Sequence, residues 1–105
     1  MKNLTKAALT ALAFSLIFST LSFADGGADF KAKCAMCHGA DGKGDTGMGK
    51  TLKLRDLGSA EVQGQSDADL TSIITNGKGK MPKYDGKLSK DQIAEIVKFI
   101  RTLKH

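Results

Sequence analysis

Cys34, Cys37 and His38 fall within five residues, as Cys34-Ala35-Met36-Cys37-His38, and their types and spacing define one piece of chemistry. On a helix, positions three and four apart share a face, so both thiols and the imidazole project together. Two thiols can bond the two vinyl edges of one porphyrin while the imidazole reaches its iron, and a C-x-x-C-H run reads as a covalent c-type haem attachment site. Three other uses of the cysteines compete. A structural disulfide leaves His38 without a role. A thioredoxin-like redox pair needs a preceding strand in a βαβ setting, and none is legible. Zinc needs four ligands, and the chain adds only His38 and the terminal His105 to its two cysteines. Haem is the reading that uses all three residues.

An iron with one axial imidazole needs a sixth ligand or keeps an open site, and a methionine there raises the reduction potential. Three methionines follow the N-terminal segment: Met36, Met48 and Met81. Met36 lies between the cysteines and cannot cross to the other face of the ring. Met48 lies in a glycine-rich loop ten residues after His38 and reads as a packing or exposed residue. Met81 follows a helix and a glycine, and Pro82 stiffens its loop. It is far enough along the chain to return over the second face, so it is the expected ligand. His105 would serve only if the terminus folded inward. Tyr84 either hydrogen-bonds near a propionate or covers its loop. No acid/base pair or nucleophile triad stands out.

Two phosphate-binding spellings sit beside the cysteines. Gly42 to Gly47 matches G-x-G-x-x-G, and Gly44 to Thr51 matches G-x-x-x-x-G-K-[ST]. Both motifs need a buried strand before the loop and a helix after it. What precedes them is the Cys/His helix and Gly39-Ala40-Asp41. The glycines instead let the chain turn tightly beside a porphyrin edge.

The elements that must position these residues are helical. Residues 28–34 read as a first short helix, with Asp29 near its start and Phe30 on the face of Cys34. Five glycines between Gly39 and Gly49 mark a loop. Residues 51–65 are irregular, with one turn of helix around Ala60 to Gln63. Ser66 caps a helix over residues 67–76 that buries Leu70, Ile73 and Ile74 and stops at Gly77. Ser89 caps the last helix, with Gln92 as its capping-box partner. There Ile93, Ile96, Val97, Ile100 and Leu103 recur at amphipathic spacing over residues 90–104. No alternating strand pattern appears.

Lys2 and Lys6, an uncharged run from Ala7 to Ala24 and the small residues of Ser22-Phe23-Ala24 form the pattern of a secretory signal peptide. Residues 1–24 are expected to be cleaved and residues 25–105 to form the domain. An uncleaved anchor is the competing reading, because the run is borderline for a membrane span. The remaining 81 residues bury a marginal core alone and need a staple, which a covalent haem supplies. Without Lys2 and Lys6, 14 of 16 basic residues remain against 11 acidic ones, a formal +3. Lys78, Lys80, Lys83 and Lys87 cluster in one stretch, and a local positive patch steers encounter with acidic partners. Few aromatics, no Trp and an extracytoplasmic destination exclude a nucleic-acid role.

On these residues the chain resembles the class I c-type cytochromes, the short bacterial and photosynthetic single-haem kind. The likeness rests on Gly26, Phe30, Cys34 to Gly39, the run Gly77-Lys78-Gly79-Lys80-Met81-Pro82 and the closing helix. It implies an all-α fold of three to four helices wrapped around one covalently bound haem c. It implies thioethers from Cys34 and Cys37, His38 and Met81 as axial ligands of the haem iron, and a crossing of the first and last helices through Gly26, Phe30 and Phe99. The resulting expectation is an exported, periplasmic or lumenal, monomeric electron carrier. It would be no enzyme and bind no small-molecule substrate, and it would dock transiently on acidic-faced redox proteins. It would meet a membrane only if residues 1–24 are retained. The alternatives are a tethered or complex-associated cytochrome subunit, and a haem sensor or enzyme with a labile sixth ligand.

Overall fold

The computed structural model describes residues 25–105; the expected leader, residues 1–24, lies outside the described residues. Six helical segments follow one another: α1 (Gly26–Lys33), α2 (Ala35–His38), α3 (Gly47–Leu52), α4 (Ala60–Gln63), α5 (Asp67–Asn76) and α6 (Lys90–Thr102). The architecture is all-α. Among the described residues, extended pairing is limited to isolated bridges at Lys78–Met81 and Asp85–Leu88. Helices α1, α5 and α6 have eight residues or more and carry the framework; α2, α3 and α4 are turns of four to six residues between them.

The helices form where caps and apolar spacing agree. In α6, Ser89 and Gln92 complete a reciprocal capping box, and Ile93, Ile96, Val97 and Ile100 form its buried stripe. In α5, Ser66 accepts the Asp69 N–H at 3.0 Å, and Leu70 and Ile74 are buried. Helix α1 starts two residues ahead of expectation because the Asp25 carboxylate accepts the Ala28 N–H at 3.1 Å and becomes the cap. Helix α3 was hidden in the glycine run. Thr46 supplies its cap, accepting the Gly49 N–H at 2.8 Å, and one side-chain acceptor is enough to start a short turn.

Helix α1 crosses α6 at very close range. A Cβ at Gly26 would overlap the Glu95 carbonyl, so only glycine allows the backbones to meet there. Next to this contact the buried Phe30 ring lies 5.0 Å from the Phe99 ring, centroid to centroid. An aromatic pair of this kind contributes about 0.5–1.5 kcal/mol beyond its buried area. The crossing implied by the resemblance thus runs past all three residues, with Gly26 against Glu95 and Phe30 against Phe99. At the far end of α6, the Arg101 guanidinium donates to the Gln63 and Gln65 carbonyls at 2.9 and 2.6 Å and to the Asp67 carboxylate at 3.0 Å. The Gln63 amide donates to the Leu57 and Ile100 carbonyls at 2.8 and 2.9 Å. These bonds tie α4 and the start of α5 to α6.

Gly26→Ala forces a methyl into the Glu95 carbonyl, and overpacking of this kind typically costs about 1–3 kcal/mol. Thermal unfolding of the holoprotein should show a fall in Tm well beyond that of Gly27→Ala, whose added Cβ meets mainly the Phe99 ring edge at 3.3 Å.

Candidate functional site

The helix breaks once between α1 and α2, at Cys34, whose N–H still reaches the Phe30 carbonyl at 2.8 Å. The next turn runs on from there, with the His38 N–H donating to the Cys34 carbonyl at 3.0 Å. Cys34 is buried, Cys37 is half-buried, and neither forms a disulfide. Burial, followed by the charges of Asp29 and Cys37, pushes the Cys34 thiol up to about 11. It is therefore a protonated thiol near neutrality. Burial lowers the His38 pKa below its ordinary value, which leaves a neutral ring with a nitrogen free to ligate. The Phe30 ring flanks the imidazole at 6.5 Å, and His38 Nδ1 is buried with no hydrogen-bond partner.

These side chains face a cavity of about 260 Å³ walled by Phe30 and Cys34 on one side, Leu70, Ile73 and Ile74 from α5, and Ile96 and Ile100 from α6. An adjoining space of about 460 Å³ is lined by Cys34, Cys37, His38, Met81, Pro82 and Tyr84. The two share Cys34, His38 and Met81, and their scale suits a cofactor, for which clefts run about 300–1,000 Å³. Apolar walls, two thiols along one edge, an imidazole with an unpartnered buried nitrogen and a thioether within one space are a donor set that fits a haem.

The three methionines separate. Met81 is half-buried, packs against the core and lines both spaces. Met36 is 81% exposed and Met48 49% exposed, and neither lines either space. The terminus does fold inward, but His105 goes elsewhere. Its N–H donates to the Gly58 carbonyl at 3.2 Å, and its Nε2 lies 2.7 Å from the Asp56 carboxylate. Tyr84 donates its hydroxyl to the Lys33 carbonyl at 2.9 Å, a bond between segments 51 residues apart that sequence reading left unassigned.

The glycine-rich run packs on the back of α2. The Gly44 N–H donates to the His38 carbonyl at 2.7 Å, and the Thr46 hydroxyl donates to the Cys37 carbonyl at 2.6 Å. A Cβ at Gly49 would stand 2.7 Å from that same Cys37 oxygen. The phosphate-loop spelling therefore serves close approach to the Cys/His turn. A helix does follow it, but α2 precedes it in place of a strand.

Sequence reading missed the polar part of the cavity: Lys53, Arg55, Gln65 and Lys78. Gln65 Oε1 is buried without a partner. Three of these lie in the irregular stretch before α5, where no periodicity marks an inward face. Gln65, directly before the Ser66 cap, and Lys78, within the Met81 run, had a nearby signal.

A family model described as cytochrome c oxidase, cbb3-type, subunit III, matches residues 22–100. Cytochrome c6 from Leptolyngbya boryana is 42% identical over 77 residues, which cover 73% of this chain and 87% of that protein. Cytochrome c6 from a Nostoc species is 35% identical over 106 residues, covering 95% of this chain and 92% of that protein. The solved structure of KustC0563 c-type cytochrome superposes with a TM-score of 0.72 at 30% identity, covering 77% of this chain and 99% of that one.

The Asp56–His105 pair carries a pH signature. The Gly58 N–H first, and the His105 imidazole second, hold the Asp56 carboxyl below its ordinary 3.8. A depressed folded-state pKa gives stability that is present above 3.8 and lost as pH falls through the folded value. Urea unfolding midpoints measured against pH should therefore decline less steeply below pH 3.8 in Asp56→Asn than in the wild type, with no change in the haem spectrum.

Proposed function

The chain belongs to the class I c-type cytochromes, and from that membership we propose that it is an exported carrier whose haem iron is held between His38 and Met81. It carries one covalently bound haem c, it transfers electrons between redox proteins, and it is not an enzyme. The observation that supports the ligand pair is the shared space. Cys34, His38 and Met81 line it together, while Met36 and Met48 stand in solvent.

When bound, the haem supplies one-electron ferrous–ferric chemistry. The residues do the rest. Cys34 and Cys37 would hold the ring through thioethers, so that the cofactor would not dissociate during turnover. His38 offers a neutral imidazole nitrogen. Met81 would offer a thioether sulfur to the iron, a ligand that raises the potential and would keep small molecules away from it. The isoleucines of α5 and α6 exclude water from the site. Lys78, Lys80, Lys83 and Lys87 are all exposed around the Met81 loop and form a positive rim suited to acidic-faced partners. Such a rim accelerates encounter more than it strengthens the complex, which suits a shuttle. The carrier acts as a monomer in a periplasmic or lumenal compartment after cleavage following Ala24.

A second reading draws on the family model, whose description is that of a subunit of an oxidase. In that reading residues 1–24 stay attached and tether the haem domain to a complex. Among the described residues no helix is long and apolar enough to cross a membrane.

Two measurements test these assignments. The ferric wild type should show the red-region sulfur-to-iron band. Met81→Ala should abolish it and lower the midpoint potential by on the order of 0.1 V, within the roughly 0.8 V that axial ligation spans, whereas Met48→Ala should change neither. A ferric wild-type spectrum without the band removes Met81 as ligand. The mass of the purified protein should equal residues 25–105 plus one haem. A mass of all 105 residues plus haem favours the tethered form.

A further inference from the structure

Met81 and His38 lie on two parts of the molecule that hydrogen-bond mostly within themselves. In the Met81 loop, Lys78 and Met81 exchange two backbone bonds, at 3.2 and 2.9 Å. The Tyr84 and Asp85 N–H groups return to the Ile74 and Thr75 carbonyls at 3.0 and 3.1 Å, and the Leu88 N–H reaches the Tyr84 carbonyl at 3.0 Å. Every one of these bonds joins the loop to itself or to the end of α5. They shape the loop without fixing its distance from α2. Among the described residues, the only hydrogen bond from residues 77–88 to the part that carries the cysteines and His38 is the one from the Tyr84 hydroxyl to the Lys33 carbonyl.

That acceptor is free for a structural reason. In an unbroken helix the Lys33 carbonyl would receive the Cys37 N–H. The break at Cys34 turns the Cys37 N–H to the Cys34 carbonyl instead, at 3.2 Å, and leaves Lys33 without a backbone donor. A carbonyl at a helix end seeks an outside partner, and the tyrosine supplies it. The phenol thus reaches across the second space, which it lines with Cys34, Cys37, Met81 and Pro82. It joins the loop bearing the sixth ligand to the residue directly before the first attachment cysteine.

We infer that Tyr84 is a positioning residue: its hydroxyl clasps the Met81 loop to the end of α1 and thereby sets how readily the sixth coordination position opens to outside ligands. This rests on the His38/Met81 ligation proposed above. A bond present only with the loop closed lowers the open fraction by the factor the bond is worth, and the apparent affinity of a competing ligand falls in proportion.

The test is imidazole titration of the ferric holoprotein, in wild type, Tyr84→Phe and Ser66→Ala. Tyr84→Phe removes only the hydroxyl and keeps the ring. Ser66→Ala removes a helix cap of similar worth at the opposite end of α5, and so controls for general destabilisation. Imidazole should bind Tyr84→Phe about fivefold more tightly than wild type, the factor expected for one partly exposed hydrogen bond. Ser66→Ala should bind it as wild type does, even where its Tm falls by as much. An unchanged affinity in Tyr84→Phe, or an equal rise in Ser66→Ala, overturns the clasp while leaving Met81 as ligand. A wild-type ferric spectrum without the sulfur-to-iron band overturns the ligation, and the clasp with it.

Discussion

The approach of α1 to α6 at Gly26 is the constraint on which the rest of this structure depends. Two helix backbones meet where a single methyl group would not fit. The contact is small, but it sets the position and direction of α1, and α1 leads within one turn into the Cys/His segment. The tilted Phe30–Phe99 pair packs beside the crossing. With α1 placed, Cys34 and His38 face the stripe of α6 that carries Ile96 and Ile100. The cofactor space is what this crossing leaves between the first helix, the last helix and α5.

Core and site are therefore one object. Phe30, Cys34, Val62, Leu70, Ile74, Ile96 and Ile100 belong both to the buried cluster and to the cavity wall. In a larger domain the core would stabilise the fold and the site would be carved elsewhere. Here residues 25–105 leave room for one apolar interior, and the haem is part of it. Covalent attachment matters for the same reason, since losing the ring would mean losing the centre of the core. The glycine-rich run and Thr46 complete the arrangement from behind by satisfying the carbonyls at the end of the α2 turn.

Charge is kept out of the buried core, while Lys53, Arg55 and Lys78 border the cavity. No charged side chain is buried among the described residues, and the ion pairs, Arg55–Glu61, Lys98–Glu95 and Arg101–Asp67, each have an exposed member. Such pairs contribute little to stability singly. Arg101 is different because its guanidinium also meets two backbone carbonyls, so it acts as a structural tie. The lysines around Met81 have no such internal role. Lys78, Lys80, Lys83 and Lys87 are all exposed.

Covalent haem attachment, the helical class, the ends of α4 and α5 and the start of α6 were legible in the sequence, because each depends on residues within one or two turns; α6 itself stops at Thr102, short of the expected residue 104. C-x-x-C-H puts its donors on one face by helical geometry alone, and Ser66, Ser89 and Gln92 cap through bonds three residues long. Met81 could be preferred from Pro82 and its distance along the chain, but spacing cannot say which methionine points inward. Packing decided that, by leaving Met36 and Met48 in water and turning Met81 to the cavity. The same holds for Thr46, whose cap was masked by the glycines around it, and for Gln65, whose burial has no periodic signature. Tyr84 is the clearest case. Its hydroxyl meets a carbonyl 51 residues away, and that carbonyl is free only because the helix breaks at Cys34. Local bonds can be read from local residues; a contact between a helix end and a distant loop exists only once the whole chain has closed around its core.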